Sequence, residues 1–456
     1  AKLYVDKFKF QGGRMGVLTA NVNLNNNDQQ IDINAIANDG PGSQTLINGY
    51  VSPKRNYIDL DIKALNTRVE FLESFCGSFM RNIDTYGQGD VRLFGPLNKL
   101  NLTGNVVANG TLEISSLNTK YTLKNDTITL NPNEIRFAND TIYDREGHHG
   151  IVTGNLYHNN LKNLSYNVNV KANNLLSYDF TDFGDNSFYG TVYATGNCNV
   201  KGKSGEVTIN VNASPNKGSS LVYNVSTPDN ISNNEFVHWE SATPTKPSMK
   251  NTTDSMTTDK PSVNANDNNI DDKQKDIPTD IHLNFLVNCN PSATLKLIMD
   301  QKTGDYIGLN GSGTMRATYY NKGSFDLYGN YLVDHGIYKL TIQNVIKKDF
   351  QFNEGGTIEF GGDPYNAVLN LKAQYLVNGV SLSDLNLGKS FSSNNIRVNC
   401  IMNITGTPNT PKIDFELDMP TVNSEAKQMI YSLINSEEEM NQQVLYLLAI
   451  GRFYNQ

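Results

Sequence analysis

The side chains best suited to chemistry lie in the segment DREGHHG and close to it. His148, His149 and the nearby His158 could ligate a metal ion, and Asp144 and Glu146 could add carboxylate oxygens. The same segment has the composition of a tight turn, with charged residues and glycine between two apolar runs. We therefore predict a hairpin turn with solvated carboxylates here, rather than a metal site.

No familiar catalytic pattern occurs elsewhere in the 456 residues. The sequence lacks the G-x-S-x-G, P-loop, H-E-x-x-H and Rossmann glycine patterns. Cys76, Cys198, Cys289 and Cys400 stand far apart without a C-x-x-C pair, which argues against a zinc or thioredoxin-like centre. We interpret Cys400 as a small buried side chain, while pairing of distant cysteines in an oxidising compartment stays open. We expect no enzyme activity, no metal and no cofactor.

One pattern that could bind a ligand remains, the alternation of apolar and polar residues. In KIDFELDM the apolar side chains alternate with carboxylates, so a strand here has one apolar and one charged face. Burying four such side chains is worth roughly 6–12 kcal/mol, at about 1.5–3 kcal/mol each. The apolar face must therefore lie against protein or an apolar ligand. The candidate lining residues are Ile58, Leu60, Ile62, Leu164, Tyr166, Val168, Val170, Ile396, Val398, Cys400, Met402, Ile404, Ile413, Phe415, Leu417 and Met419.

Composition and charge narrow the class of protein. The net charge of −8 argues against nucleic-acid binding and against a polybasic membrane anchor. Hydrophobic residues make up 38% of the chain, below the usual share of about 45–50%. This share of hydrophobic residues suits an elongated sheet with one solvated face better than it suits several compact cores. Asparagine is abundant, and we attribute the many N-x-S/T triplets to composition rather than to glycosylation.

The alternation recurs along the chain and predicts an all-β fold. Turn signals separate the runs, and the short connections favour a mostly antiparallel sheet. Glycines near strand ends would bend the sheet into an elongated, curved trough with an apolar interior, like a folded taco. Two segments are predicted to be helical, residues 67–80 and a longer one from Ser424 to about Phe453. Ser424 could cap the second, which would restart near Ser436 and pack over the sheet or contact a membrane.

The chain divides into four predicted parts. Residues 1–240 form a first β-rich segment, and residues 281–422 form a second. Between them, 241–280 is rich in Thr, Ser, Asn, Pro, Asp and Lys, and we expect a flexible insertion. Residues 423–456 form the helical end. The sequence has no signal peptide and no apolar run of 18 residues, so we expect a piece of a longer protein.

Several motifs resemble one family. The segments FYGTVYATG (Phe188–Gly196) and IYDREGHHGIVTGNLYH (Ile142–His158) are typical of it. The strongest match is Gly329–Tyr375, with its G-x-Y-x-x-x-x-G-x-Y, K-x-F-x-x-x-x-G-G-T-I and G-D-P-x-N-A elements. NQQVLYLLAIGRF (Asn441–Phe453) matches the helix that follows. The chain thus resembles the C-terminal half of the TamB family, of the Bacteroidetes type, within the AsmA-like group.

The resemblance implies an envelope protein of Gram-negative bacteria, with an inner-membrane anchor and a β-rich body in the periplasm. It also implies a BamA-type outer-membrane barrel, TamA-like, as partner, and passage of phospholipid along the groove. An older proposal for the family is assistance in assembling outer-membrane proteins. The anchor and upstream body are absent from this sequence, and relatives continue beyond the position of Gln456 into further β segments.

Three functions therefore remain to be compared. A lipid conduit would place acyl chains against the apolar rows. An assembly scaffold would offer strand edges to outer-membrane β-barrel proteins. An enzyme or adhesin on an elongated β fold is the third, but a sugar-stacking platform is poorly supplied, because Trp239 is the only tryptophan.

Overall fold

The chain folds into one long sheet. The computed structural model describes residues 1–25, 27, 29–76, 79–159, 162–184, 188–224, 280–342, 346–385 and 395–454. Within these ranges 23 strands join in a single elongated, curved and mostly antiparallel sheet, so the prediction of an all-β trough is confirmed. Apart from Asp280, the predicted insertion at 241–280 lies outside the described residues.

The first twelve strands form a meander in which each strand pairs antiparallel with the next. Short turns suffice because neighbouring strands are consecutive in the chain. The strands are β1 (Lys2–Phe10), β2 (Gly13–Asn25), β3 (Gln30–Asn38), β4 (Gln44–Ser52), β5 (Tyr57–Arg68), β6 (Met80–Pro96), β7 (Asn101–Ile114), β8 (Thr119–Asn131), β9 (Glu134–Tyr143), β10 (His149–Asn159), β11 (Lys162–Phe180) and β12 (Phe188–Lys203).

Two parallel pairings interrupt the meander after β12. The strands β13 (Glu206–Pro215) and β14 (Ser220–Asn224) pair antiparallel with successive parts of β12. The next strands, β15 (Asp280–Cys289) and β16 (Thr294–Asp300), pair parallel with β13 and β14. A parallel pair requires the chain to return to the same end of the sheet, and residues 225–279 supply the length for that return. We call the β13–β15 and β14–β16 pairings the parallel seam.

Antiparallel pairing resumes beyond the seam. The long strand β17 pairs with both β15 and β16, and β18 pairs with β17 on one side and with β19 and β20 on the other. The strands β21, β22 and β23 complete the sheet. Their bounds are β17 (Asp305–Tyr320), β18 (Phe325–Ile342), β19 (Ile346–Phe352), β20 (Thr357–Gly362), β21 (Val368–Ser381), β22 (Asn395–Thr407) and β23 (Thr410–Asp418).

The first predicted helix is shorter than the sequence suggests. A 3-10 turn at Glu70–Leu72 leads into α1 (Glu73–Cys76), instead of one helix over 67–80. The reason is strand pairing, because β5 stays paired with β6 as far as Arg68 and β6 already begins at Met80. The residues at both ends of the predicted helix therefore form hydrogen bonds in the sheet instead.

The C-terminal helical segment is confirmed as two helices, α2 (Ser424–Ser432) and α3 (Glu437–Ile450). Asn423, and not Ser424, caps α2, because its side-chain oxygen accepts a hydrogen bond from the Ala426 N–H at 2.9 Å. The predicted restart at Ser436 is confirmed, since its Oγ accepts from the Glu439 N–H at 3.1 Å. Further 3-10 turns cover Pro364–Asn366 and Leu382–Leu385.

The largest core of the described chain lies at the C-terminal end. Here α3 packs against β19, β21 and β23. Packing over the sheet was one of the two environments predicted for this helix. Ile430 of α2 and Val444, Leu447 and Leu448 of α3 belong to one buried cluster with the apolar faces of β17 to β23. This cluster is called the C-terminal core below.

Asparagines occupy many bulges of the sheet. At five places where the register shifts, an asparagine adopts a left-handed conformation with φ between +50° and +64°. Asparagine tolerates this conformation better than most residues, and bulges increase the local twist of a sheet. Part of the asparagine excess therefore has a structural cause. The five are Asn66, Asn82, Asn125, Asn139 and Asn174.

Candidate functional site

The register joins the predicted apolar rows of separate strands into one face. Residues directly opposite each other in neighbouring strands point to the same side of the sheet. One row of direct partners crosses the sheet from β4 to β15 with only apolar or glycine members. It consists of Ile47, Ile62, Val91, Gly104, Leu130, Ile135, Leu156, Tyr166, Gly202, Val207 and Ile281.

Between β4 and β11 the large apolar side chains of this row are only partly covered by protein. The side chains of Ile58, Leu60 and Ile62 are half-buried. In β11 the predicted lining residues are half-buried as well, except Leu164, which is 36% exposed. We call the apolar face of β4 to β11 the open face. The predicted lining residues on it are Ile58, Leu60, Ile62, Leu164, Tyr166, Val168 and Val170.

The predicted lining residues of β22 and the segment after it have a different environment. Seven of them are buried in the C-terminal core with the apolar residues of α2 and α3. Protein therefore already covers the apolar face here, so we do not extend the open face to these strands. In β23, Phe415 is half-buried and Ile413 is 40% exposed. The seven are Ile396, Val398, Cys400, Met402, Ile404, Leu417 and Met419.

The opposite face of the sheet carries polar ladders. Asp59 accepts two hydrogen bonds of 2.8 Å from the guanidinium of Arg92, which holds the pKa of Asp59 below its usual value. Further along, the amide of Asn199 donates to the side-chain oxygens of Asn167 and Asn169 at 2.8 Å each. These contacts give the trough a hydrophilic exterior.

Glycines on the apolar side allow neighbouring strands to approach closely. Gly154 of β10 has a φ of +141°, and a Cβ built on it would lie 2.2 Å from the carbonyl oxygen of Asn167 in β11. No L-amino-acid side chain fits such a position, because it is crowded by backbone and lies in a region that favours glycine. The bend of the trough depends on such sites.

The DREGHHG segment forms the predicted hairpin turn between β9 and β10, but the prediction of a solvated Asp144 was wrong. The Asp144 side chain is fully buried. Its Oδ1 accepts from the N–H groups of Glu146 and His148 at 2.9 Å, and its Oδ2 accepts from the Leu176 N–H at 2.9 Å. Burial raises the pKa of Asp144, but these hydrogen bonds prevail and hold it below its usual value.

The flanking strands bury this turn. Beyond the hairpin tip, β8 and β11 come into direct contact. The Asp179 N–H donates to the Leu117 carbonyl at 3.0 Å, and the Tyr121 hydroxyl donates to the Leu176 carbonyl at 2.8 Å. In the described parts of the chain, no three His, Cys, Asp or Glu side chains form a group that could hold a metal ion.

The comparison with protein families decides the relationship. A model of the TamB C-terminal domain matches residues 139–456. The chain belongs to the TamB family. This membership gives it a role in the cell envelope, in the system of the translocation and assembly module and AsmA-like proteins. The search of curated proteins gave no match.

The TamB match begins in β9 and includes the open face of β10 and β11, the parallel seam and the C-terminal core. Within it, Asp363 caps the 3-10 turn Pro364–Asn366, because its Oδ1 accepts from the Tyr365 N–H at 3.0 Å. Among the described helices, none is long and apolar enough to cross a membrane.

Two aspartates of this TamB-family chain are buried, although the sequence did not lead us to predict it. Asp126 and Asp140 follow the bulge asparagines of two NDT segments, and their register partners Ala108 and Val152 place them on the apolar side. Asp126 accepts from the Thr141 N–H at 2.7 Å and from the Lys124 N–H at 3.0 Å. The signal was present, because each aspartate stands where the alternation requires an apolar residue.

Asp140 differs from its neighbour Asp126 in that one of its two carboxylate oxygens has no hydrogen-bond partner. Its Oδ2 is buried without a hydrogen bond to any described group. Burial, and then the charge of Asp126, raise the pKa of Asp140 to about 6. The folded chain therefore binds a proton at Asp140 more tightly than the unfolded chain does. The contribution of this group to the free energy of unfolding is lost as the pH rises through about 6.

Replacing Asp140 with asparagine is expected to stabilise the protein at neutral pH. The gain should be about 2 kcal/mol near pH 7.5 and should shrink toward about pH 5, where the wild-type carboxyl is increasingly protonated. Thermal or urea unfolding of both proteins at the two pH values measures it. Asp126→Asn is the control and should destabilise at both, since Asp126 accepts two backbone hydrogen bonds. A pH-independent difference between Asp140→Asn and wild type would contradict the assignment.

Proposed function

We propose that this TamB-family chain conducts phospholipid between the inner and outer membranes along its trough, in the periplasm. The observation that supports this is the row of apolar and glycine residues that crosses the open face from β4 to β11 without interruption, and whose large side chains the chain itself leaves half covered. Acyl chains would lie against it, and headgroups would stay at the solvated rims. The proposed activity involves no covalent chemistry, cofactor or nucleic acid.

The size of the open face fits transport better than storage of one lipid. From β4 to β11 the strands span about 35 Å at about 4.8 Å per strand. One acyl chain covers roughly half of a 30 Å hydrocarbon core, or about 15 Å. The face therefore offers successive positions to a moving chain. Each buried methylene contributes about 0.8 kcal/mol, which suffices to hold a lipid out of water.

In the complete protein we propose an inner-membrane anchor upstream of this segment and a TamA-like barrel of the BamA type as the outer-membrane partner. The basis is family membership. Together they would connect the two ends of the trough to the two membranes.

The alternative is a scaffold for assembling outer-membrane β-barrel proteins. It is favoured by the terminal strands, since β1 and β23 each pair on one side only within the described sheet. An unpaired edge can accept a client strand. This function predicts capture of unfolded barrel peptides and no lipid on the purified protein.

A single charge on the open face tests the conduit. We expect Ile62→Asp to retain about tenfold less phospholipid than wild type after purification, because a carboxylate resists contact with an acyl chain. Mass spectrometry of extracted lipid measures this. Lys63→Asp, an exposed position on the opposite face, is the matched control and should retain wild-type lipid. Equal lipid on wild type and Ile62→Asp, with both folded by thermal unfolding, would refute the conduit.

A further inference from the structure

The two rims of the trough differ in the acidic residues that accompany their basic side chains. On one rim, arginines at the strand ends are neutralised by acids. Arg14 and Arg68 contact Asp39 at 2.6 and 3.6 Å, and Arg81 contacts Glu113 at 3.3 Å. On the other rim, the β4–β5 and β6–β7 turns carry cations and no acidic residue. We call these turns, residues 53–56 and 97–100, the basic turn pair.

The basic turn pair is one continuous surface. The Leu97 N–H of the second turn donates to the Asn56 carbonyl of the first at 3.0 Å, which fixes the turns side by side. Lys54 and Lys99 are exposed, and among the described residues no acid forms an ion pair with either of them.

This surface lies at the end of the open face. In the register Val51 and Ile58 pair with each other, and Ile58 pairs with Gly95, so this row ends where both turns begin. A Cβ built on Gly95 would lie 2.6 Å from the Lys99 carbonyl oxygen. The second turn therefore passes close beside the end of β6. Leu97, 42% exposed, adds an apolar contact beside the cations.

We propose that the basic turn pair binds the phosphate of an anionic phospholipid whose acyl chain lies on the open face. This inference rests on the proposed function and adds a headgroup site to it. Cations beside an apolar surface match the two parts of such a lipid, and each lysine near an anionic headgroup strengthens binding about fivefold. A zwitterionic lipid has no net charge and gains less from these cations.

Binding of short-chain, monomeric phosphatidylglycerol and phosphatidylcholine to the full chain tests the site. We expect wild type to prefer phosphatidylglycerol, and Lys54→Glu/Lys99→Glu to lose at least about tenfold of that preference while its phosphatidylcholine affinity is unchanged. The preference should also weaken as salt is added. The matched control is Lys171→Glu/Lys201→Glu, which makes the same charge change at exposed positions of the polar face and should keep the preference.

Each contrary result has one meaning. An unchanged preference in Lys54→Glu/Lys99→Glu, or equal loss in the control, would overturn the headgroup site and leave the conduit standing. Displacement of phosphatidylglycerol by inorganic phosphate in excess would assign the turns to free phosphate and would also overturn it. Binding of neither lipid would refute both.

Discussion

Leu447→Ala should lower the free energy of unfolding by about 2–5 kcal/mol. Leu447 is 1% exposed and packs inside the C-terminal core, where α3 covers β19, β21 and β23. Truncation removes apolar contacts and leaves a cavity that the rigid sheet can fill only in part. Urea unfolding followed by circular dichroism measures the loss.

The control for Leu447 is Ile450→Ala on the same helix. Ile450 is 62% exposed, so its truncation should change stability by no more than about 0.5 kcal/mol. Below its unfolding midpoint, Leu447→Ala should still retain wild-type lipid, because the C-terminal core lies outside the open face. Similar destabilisation by both substitutions would mean that α3 does not pack as described.

Gly154→Val should cost at least about 3 kcal/mol and is expected to break the β10–β11 pairing. The added Cβ would meet the Asn167 carbonyl oxygen at 2.2 Å, and valine strongly disfavours the φ of +141°. Native β10–β11 pairing contributes part of the open face, so retained lipid should fall together with stability. Limited proteolysis and thermal unfolding detect the loss.

Gly147→Ala separates backbone crowding from general glycine effects. Gly147 also has a positive φ, +89°, but a Cβ there meets no atom within 4 Å. Its substitution should cost about 1–2 kcal/mol from the conformation alone. If Gly154→Val is no worse than this control, close approach of the strands does not shape the trough.

The strands and their two faces were predictable because a period of two depends only on the local chain. The same rule that makes Ile58, Leu60 and Ile62 one row also makes Val398, Cys400 and Met402 one row. What covers a row is not a local property. The first row stays half-buried and the second lies under helices, although their patterns are alike.

The environment of single polar residues was less predictable, for a related reason. Asp144 sits in a turn sequence, and only the meeting of β8 and β11 beyond its tip buries it. Asn125 and Asn139 look like ordinary members of an asparagine-rich sequence, yet each supplies a left-handed residue at a bulge. Both facts depend on register and on strands distant in the chain, which residue types alone do not specify.

The parallel seam has a consequence for how the protein forms. Up to β12 every strand finds its partner next to it in the chain, so the meander can grow by closing one short loop at a time. At the seam, Asn284 bonds to Asn210 across a separation of 74 residues. Closing that loop costs more entropy and comes later. The first twelve strands can thus assemble before β15 to β23 join them, and joining the halves becomes the slow step.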